Sequence, residues 1–407
     1  MFCAGIAGQR GLKVLLLDHA PRLGEKIRIS GGGRCNFTNL NGADPARYLS
    51  QAPRFARHAL KSYTPQRFVE LVRRHRIAFH EKHLGQLFCD DASQRIIDLL
   101  LAECGSGGVV IRHPVRIGSI EARPDEDIRF TIHTDSGPVA AANLALATGG
   151  LSVPAIGATD FAWRQLAAWG LEVVPASPGL VPLTFAASGW RPFVELAGVS
   201  LPVGISVAPL AGDERQRPVS FREDLLFTHR GLSGPAILQI SSYWRPGRRL
   251  DVDLLPDIEL EQRLVDVKEG REPIAGEAQR QQLTTVLASM LPRRLAQVWI
   301  EAAQPDGLAD LTGQERLAET ANSRLRMLGR ALNRWQVEPA GSEGYKKAEV
   351  TLGGVATSEL DARSLQALRM PGLYCIGEAV DVTGWLGGYN FQWAWASAHA
   401  AATAMVR

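Results

Sequence analysis

Residues 26–39 are the part of the chain best suited to ligand chemistry. Three consecutive glycines stand there between cationic and polar side chains, although glycine in a helix or strand costs backbone entropy and adds no packing. Glycine is favoured where the backbone approaches a ligand closely and offers its N–H groups. The segment therefore predicts a cradle for phosphates or a large polar cofactor, with a plain glycine-rich loop as the alternative. The candidate contacts are Lys26, Arg28, Ser30, Gly31, Gly32, Gly33, Arg34, Cys35 and Asn36.

A second glycine-rich segment lies near the end of the chain. It follows a short apolar run at 373–376 and precedes a stretch rich in Ala and Trp, predicted as a helix over 391–405. Paired glycines directly before a helix expose its N-terminal amides, which favour an anion or an electron-rich ring edge. A glycine turn before a packed helix is the alternative. The candidate contacts here are Gly377, Glu378, Asp381, Gly387, Gly388, Tyr389 and Asn390.

Three side chains are candidates for proton transfer or nucleophilic chemistry. Cys35 follows Arg34, which could lower the pKa of its thiol, although a small packing residue is the favoured interpretation. His229 lies in a motif-like run, and Tyr389 precedes the last predicted helix; each has an equally plausible structural role. His80 and His83 have no third partner at a metal-ligand spacing, so no metal site is expected.

The composition argues against several classes of protein. The 407 residues include 45 basic and 42 acidic side chains, which gives a net charge of +3. The sequence has no continuous run of Lys and Arg, which argues against a nucleic-acid partner. The five cysteines form no CxxC pair, which favours reduced thiols in the cytoplasm. No apolar run approaches about 20 residues, so no membrane span is predicted. The N-terminus lacks the features of a signal peptide.

The elements that would position these residues are those of an α/β protein. An apolar run at 12–18 predicts a buried strand. Its final residue, Asp18, is a candidate ligand of ribose hydroxyls, with an ordinary acidic residue at a strand end as the alternative. Helices are predicted over 65–74 and 92–104. Three strands at 115–120, 128–133 and 140–147 predict a β-meander, and the last of them ends at a small-residue turn that contains Thr148 and Gly149.

The middle of the chain has a different pattern. Pro and Gly are frequent after residue 173, with strands predicted at 204–208 and 249–254, and helices then follow at 280–290, 292–303 and 317–332. The predicted division is therefore an α/β domain of residues 1–172 and 346–407, an inserted β domain of 173–258 and 333–345, and an inserted helical domain of 259–332.

The order of these blocks resembles one family. The glycine segments, the Thr148-Gly149-Gly150 turn, the run from Phe227 to Pro235 and Gly353-Gly354-Val355 together resemble the bacterial BaiN-like, aminoacetone-oxidase-like FAD-binding flavoproteins. The resemblance implies an FAD-binding Rossmann-like fold of the two-dinucleotide-binding-domain type, with inserted β-barrel-like and helical parts.

The same resemblance implies roles for the candidate residues. Asp18 would bind the adenosine ribose, residues 28–36 would line the flavin and its ribityl chain, and Thr148 and Gly149 would lie near the adenosine and pyrophosphate. Gly377, Glu378 and Asp381 would meet the ribityl chain and pyrophosphate. Residues 387–390 would place amides beside the pyrimidine side of the flavin ring.

One departure from the family pattern affects what to expect. These flavoproteins open with a strand, a GxGxxG turn and a helix, whereas only eleven residues precede Leu12 here. One register would match Gly5-Ile6-Ala7-Gly8 to the end of the glycine motif, but it leaves no room for the helix. The better register makes residues 1–10 the remainder of that helix, with Gly11 at its end. We therefore expect a shortened chain with unpaired strand edges; a variant that holds FAD through its other loops is the alternative.

Three functional hypotheses follow. The first is an FAD-dependent oxidoreductase that transfers hydride to or from a small organic substrate, with NAD(P)H or oxygen completing the cycle. Any NAD(P)H would reach the flavin transiently, because no complete GxGxxG marks a domain of its own. The second is a non-catalytic or degenerate fragment unable to hold FAD. The third is a flavin-dependent RNA-modification factor, against which the absence of a basic track counts. The sequence leaves the substrate, the electron donor and the oligomeric state open.

Overall fold

The computed structural model describes residues 1–123, 125–207, 219–272, 280–302, 308 and 310–406. It separates into two compact units, the first formed by Met1–Pro178 and Ala348–Arg407 and the second by Gly179–Lys347. No helix in the described ranges is both long and apolar enough to cross a bilayer. The further division of the insert into β and helical domains stays a prediction.

The elements are numbered along the chain. The helices are α1 (Phe2–Gln9), α2 (Glu25–Ile29), α3 (Arg57–Ser62), α4 (Pro65–Arg74), α5 (Gln94–Ser106), α6 (Phe161–Ala168), α7 (Ala187–Trp190), α8 (Pro235–Ser241), α9 (Leu260–Lys268), α10 (Leu283–Ala288), α11 (Arg293–Ala302), α12 (Asn322–Asn333) and α13 (Tyr389–Ala404). The strands are β1 (Leu15–Leu17), β2 (Asn36–Asn39), β3 (Tyr48–Leu49), β4 (Phe79–Glu81), β5 (Gln86–Cys89), β6 (Val110–Arg112), β7 (Ile117–Ala122), β8 (Phe130–Thr134), β9 (Gly137–Ala141), β10 (Leu144–Leu146), β11 (Val173–Gly179), β12 (Leu183–Thr184), β13 (Ser200–Val207), β14 (Val219–Thr228), β15 (Gly231–Ser233), β16 (Leu250–Asp253), β17 (Trp335–Val337), β18 (Gly341–Ser342), β19 (Val350–Val355), β20 (Leu373–Cys375) and β21 (Thr383–Gly384).

The first unit contains two parallel strand pairs beside its antiparallel sheets and helices. β1 pairs in parallel with β6, and β10 pairs in parallel with β20. The predicted register of the N-terminal segment is confirmed, because α1 ends at Gln9 and Gly11 follows with a φ of +87°. In the described ranges these two pairs form separate two-stranded sheets, β1–β6 and β10–β20.

The predicted β-meander is confirmed in part. β7, β8 and β9 form an antiparallel sheet. The prediction of one strand over 140–147 is wrong, because that segment divides: its first residues complete β9, whereas Leu144–Leu146 leaves the meander and pairs with β20. A bend between β9 and β10 thus carries the chain from the meander into the parallel pair, where Thr148 and Gly149 follow the strand end.

Helix α13 packs against several other elements of the first unit, among them α1, α3 and β2. Five of its seven alanines are buried, which lets α1 and α3 pack closely against it. Trp395 stacks on Phe68 with ring centroids 4.5 Å apart, and its indole N–H donates to Phe37 O at 2.8 Å. Trp393 donates to Gly377 O at 3.0 Å. These tryptophans therefore anchor the helix to the neighbouring loops.

Seven antiparallel strands and a group of helices form the second unit. The strand order is β17-β16-β13-β14-β15-β12-β18. The predicted helix over 317–332 begins only at Asn322, because Leu317–Glu319 is a single 3-10 turn and Thr320 is extended. Ala208 and Ala303, which end a predicted strand and a predicted helix, lie outside the described residues.

Candidate functional site

The glycine loop of the first unit turns its backbone toward open space. Gly31, Gly32 and Gly33 have φ values of +57°, +66° and +87°, a conformation that residues with a side chain rarely adopt. A Cβ atom at Gly31 would lie 2.9 Å from Asn36 N, whereas a Cβ atom at Gly32 or Gly33 would meet no atom within 4 Å. Gly31 is therefore required by packing, and the next two glycines leave room for another molecule beside the backbone.

Side chains around the loop fix its shape. Ser93 N donates to Gly33 O at 2.7 Å, and Ser93 Oγ donates to Arg28 O at 3.0 Å. Ser30 Oγ donates to Ile27 O at 2.7 Å. The Arg28 guanidinium donates to Leu23 O at 3.3 Å and also to Gln94. Arg28 and Ser30, which were predicted as cofactor contacts, thus form hydrogen bonds that hold the loop in place.

Lys26 connects the glycine loop to two other predicted segments. Its ammonium donates to Ser152 Oγ and lies 3.4 Å from Glu378 Oε2. Ser152 Oγ donates to Glu378 Oε1 at 3.2 Å, and Thr351 N donates to the same oxygen at 2.7 Å. The structure therefore brings together residues from 26, 152, 351 and 378, and Glu378 acts as the hub that sets their positions.

Two members of this network were not found from the sequence. Ser152 and Thr351 carry no motif of their own. A further carboxyl, that of Glu349, interacts with the charge of Lys26, and desolvation raises its pKa above the ordinary value. The block from 353 to 355 was recognised as part of the family pattern, but nothing in the sequence indicates that β19, the strand that contains it, lies near Lys26.

Asp18 lies at the end of β1, as expected. Its Oδ1 accepts a hydrogen bond from Ala20 N at 2.8 Å. The next residue, His19, bonds through Nε2 to Gly157 O at 2.8 Å, which ties the strand end to the loop that follows β10. In that loop Gly149 has a φ of +74° and no atom within 4 Å of its Cβ position. The turn with Thr148 thus offers backbone to open space, as the glycine loop does.

The start of α13 is built so closely that only glycine fits. Gly387 and Gly388 have φ values of +102° and +94°, and a Cβ atom on Gly388 would lie 2.4 Å from Thr38 O. In the orientation that satisfies both of its groups, the Asn36 amide donates to Thr38 O and accepts from Gly388 N at 3.2 Å. The N-cap residue, Gly388, has no side chain that could cap the helix, and the helix dipole of these 16 residues places positive partial charge at this end.

Hydrogen bonds also hold the segment before this helix. The Asn390 amide donates to Gly384 O and accepts from Gly384 N, both at 2.8 Å, which closes the loop between β21 and α13. Gly377 N donates to Ser397 Oγ at 2.9 Å. Asp381 Oδ2 accepts from Gln51 N at 3.0 Å, and burial raises the pKa of the Asp381 carboxyl.

The three candidates for proton transfer or nucleophilic chemistry have different surroundings. Cys35 is fully buried, and burial raises the pKa of its thiol to about 12, so the suggestion of a lowered pKa is wrong and the packing role is favoured. Tyr389 is buried with its ring centroid 6.0 Å from that of Tyr48. His229 lies on an exposed turn between β14 and β15 of the second unit. Among the described residues no group of three metal-binding side chains occurs.

A family model described as the HI0933-like protein Rossmann domain matches residues 1–404. The chain belongs to this HI0933-like family. The α/β fold with a Rossmann domain and the FAD-dependent family predicted from the glycine segments are thereby confirmed at the level of the family. The roles of the individual candidate residues stay predictions.

Three relatives of the HI0933-like chain are similar over nearly all of its length. It is 45% identical over 408 residues to the ribosomal RNA dihydrouridine synthase of Escherichia coli (strain K12), an alignment that covers 100% of this chain and 95% of that protein. The protein of the same name from Haemophilus influenzae (strain ATCC 51907) is 41% identical, with 100% and 96% covered. A 3-dehydro-bile acid delta(4,6)-reductase from Clostridium scindens is 28% identical, with 98% and 95% covered.

Proposed function

We propose that the chain holds FAD in the first unit and reduces uridine to dihydrouridine in ribosomal RNA. The observation that carries the substrate assignment is the 45% identity, across the whole chain, to a relative named for this reaction. The 41% identical relative from a second organism has the same name.

The open glycines support the FAD assignment. Gly32, Gly33 and Gly149 each present left-handed backbone to space that a Cβ atom would enter without touching protein. The Lys26 network holds the loops that carry them, and the start of α13 adds oriented amide dipoles. Backbone amides, a lysine and a helix N-terminus suit a large anionic cofactor with a pyrophosphate.

The reaction requires a hydride and a proton. The C5=C6 bond of uracil is conjugated to a carbonyl group, so hydride adds at C6 and a proton at C5, a net gain of two electrons and two protons. FAD supplies hydride chemistry when bound, and NAD(P)H is the proposed electron source. The bile-acid relative is named for reduction of double bonds in a 3-dehydro compound, which is the same class of chemistry.

The protein's part in this scheme is to bind and orient. Asp18 offers its free carboxylate oxygen to ribose hydroxyls, and Gly32 and Gly33 line the cradle. The α13 amides would stabilise negative charge near them. Burial raises the pKa of the Cys35 thiol to about 12, so the thiol stays protonated at neutral pH and is a poor nucleophile.

The test begins with a visible spectrum of the purified chain after FAD titration. The flavin-loaded protein is then incubated with NADPH and ribosomal RNA from an Escherichia coli strain that lacks the 45% identical relative. Nucleoside digests are analysed by mass spectrometry for dihydrouridine. We expect a bound-flavin spectrum and new dihydrouridine that depends on both the protein and the reductant.

Two other results would support the other hypotheses. A flavin-loaded chain that leaves the RNA unchanged but reduces a small conjugated enone would support a small-molecule oxidoreductase. That result would also agree with the expectation from the sequence that the protein has no nucleic-acid partner. The proposed reaction on ribosomal RNA contradicts that expectation. A chain that takes up no FAD would indicate the degenerate fragment.

A further inference from the structure

Positive charge is concentrated in one part of the first unit. Between residues 54 and 82 the chain carries eight Lys and Arg residues and only two acidic residues, Glu70 and Glu81. The whole chain has a net charge of +3, so the remainder is net negative. All eight cations are exposed, and we call them the basic surface: Arg54, Arg57, Lys61, Arg67, Arg73, Arg74, Arg76 and Lys82.

The helices beneath the basic surface are fixed by their apolar faces. In α3, Ala59 and Leu60 are buried, whereas Arg57 and Lys61 lie one turn apart on the exposed face. In α4 the buried side includes Phe68 and Val72. α3 packs against α13. The spacing along helices explains why no continuous Lys/Arg run is visible in the sequence.

The cations of the basic surface are available for a partner. In the described part of the chain none of the eight forms an ion pair with a carboxylate. Three of them lie over aromatic rings instead: Arg67 over Tyr63 at 5.0 Å, Arg73 over Phe79 at 5.7 Å and Lys82 over Phe88 at 5.7 Å. The positive charge of these exposed side chains is therefore not neutralised by carboxylates, which favours binding of a polyanion.

The basic surface is connected to the candidate cofactor site by the segment before α3. Gln51 N donates to the Asp381 carboxylate at 3.0 Å, three residues before Arg54. Arg47 lies 4.8 Å over the Trp385 ring, in the loop that leads to α13. α3 then packs on α13, whose N-terminus belongs to the site. The first cations of the surface therefore follow directly from residues that hold the site together.

We propose that the basic surface binds the phosphate backbone of the RNA substrate and directs a uridine toward the site. This inference rests on the proposed function. Phosphate contacts supply most of the sequence-independent affinity of a protein for nucleic acid. A membrane surface fits less well, because binding in a bilayer interface needs an exposed apolar helix face, and the apolar faces of α3 and α4 are buried.

The test compares two triple variants with equal loss of charge. Arg57→Gln/Lys61→Gln/Arg73→Gln removes three cations of the basic surface. Arg112→Gln/Arg116→Gln/Arg191→Gln removes three exposed cations elsewhere, none of which forms an ion pair in the described part of the chain. Binding of the same ribosomal RNA is measured at several NaCl concentrations for the full flavin-loaded chain, with visible spectra and unfolding curves for each variant.

We expect the first variant to bind RNA about 10- to 100-fold more weakly near 0.1 M salt, with the slope of log affinity against log salt reduced by about 2–3. The control should match the unchanged protein, and the flavin spectra of all three should agree. Equal RNA affinity and slope for the two triple variants would overturn the proposal. So would binding to vesicles with anionic lipid that depends on the three cations, in a protein that binds no RNA.

Failure of this proposal and failure of the proposed function can be told apart. If the first variant keeps both its dihydrouridine formation and its RNA affinity, the role of the basic surface is refuted and the proposed reaction is supported. Loss of RNA affinity in the first variant, in a protein that forms no dihydrouridine, supports the surface and removes the reaction.

Discussion

Replacing Gly32 by alanine tests whether the open glycine loop receives the cofactor. Gly32 has a φ of +66° and no atom within 4 Å of its Cβ position. Gly108 has a φ of +63° and equally empty surroundings, but it lies in the turn between α5 and β6, away from the glycine loop in sequence. The two substitutions therefore carry the same backbone strain and differ in what the new methyl group faces.

The expected magnitudes separate stability from binding. An alanine in left-handed backbone costs about 1–2 kcal/mol, and the lower entropy of the unfolded chain offsets about 0.4–1 kcal/mol of that. We therefore expect both Gly32→Ala and Gly108→Ala to lower the free energy of unfolding of the apo-protein by about 1 kcal/mol. Only at Gly32 would the methyl group meet FAD, and overpacking of about 1–3 kcal/mol would weaken FAD binding by about 5- to 150-fold.

Two measurements check this expectation. Urea unfolding of the apo-proteins gives the stability of each variant, and quenching of flavin fluorescence during titration gives its FAD affinity. If neither variant changes the affinity for FAD, the assignment of Gly32 to the cofactor cradle is refuted, even if the two stabilities agree. A loss of affinity at Gly108 equal to that at Gly32 would do the same, because the effect would then follow strain.

Three further expectations concern charge and protonation. Glu378→Ala should cost about 1–3 kcal/mol in urea unfolding because it leaves Thr351 N–H and the Ser152 hydroxyl without their acceptor and removes the carboxylate partner of Lys26, whereas Glu378→Gln keeps an acceptor and should cost less; equal losses would contradict the role of Glu378 in holding the network. Burial, with Arg67 and Arg10 nearby, lowers the pKa of His399 from 6.5 to about 4, so the unfolded chain binds more protons between these values. Stability from this group is complete above pH 6.5 and is lost as the pH falls toward 4, by at most about 3 kcal/mol, and His399→Phe should flatten that part of the stability profile. All five cysteines are buried and burial raises the pKa of each thiol, so iodoacetamide at pH 7.5 should label none of them in the native protein and all five after unfolding, as mass spectrometry can show.

Local patterns in the sequence predicted much of the fold. The helix over residues 65–74 has the bounds of α4, because its apolar side chains recur at helical spacing after a proline suited to the first turn. The last helix, the register of the N-terminal helix and the α/β character of the first unit were also predicted. These features depend on neighbours within a few positions, which a sequence displays directly.

Long-range pairing was predicted less well. The segment 140–147 has the composition of one strand, but its second half pairs with β20, more than 200 residues later. A partner so distant leaves no local signal, so the division into two strands could not be seen. The same holds for Leu317, whose segment continues the helical pattern although the chain forms only a single turn there.

The candidate site shows the same contrast. The glycine triplet and the glycine pair could be recognised from the sequence as sites of unusual backbone, since no other residue tolerates positive φ so readily. The hydrogen bonds that hold Glu378 to Lys26, Ser152 and Thr351 join residues up to 352 positions apart, and only folding brings them into contact. Five of the eight cations of the basic surface likewise lie in α3 and α4, where the helical repeat turns them to the exposed side. Local chemistry was therefore encoded in short segments, and its assembly into a site and a surface depended on tertiary contacts.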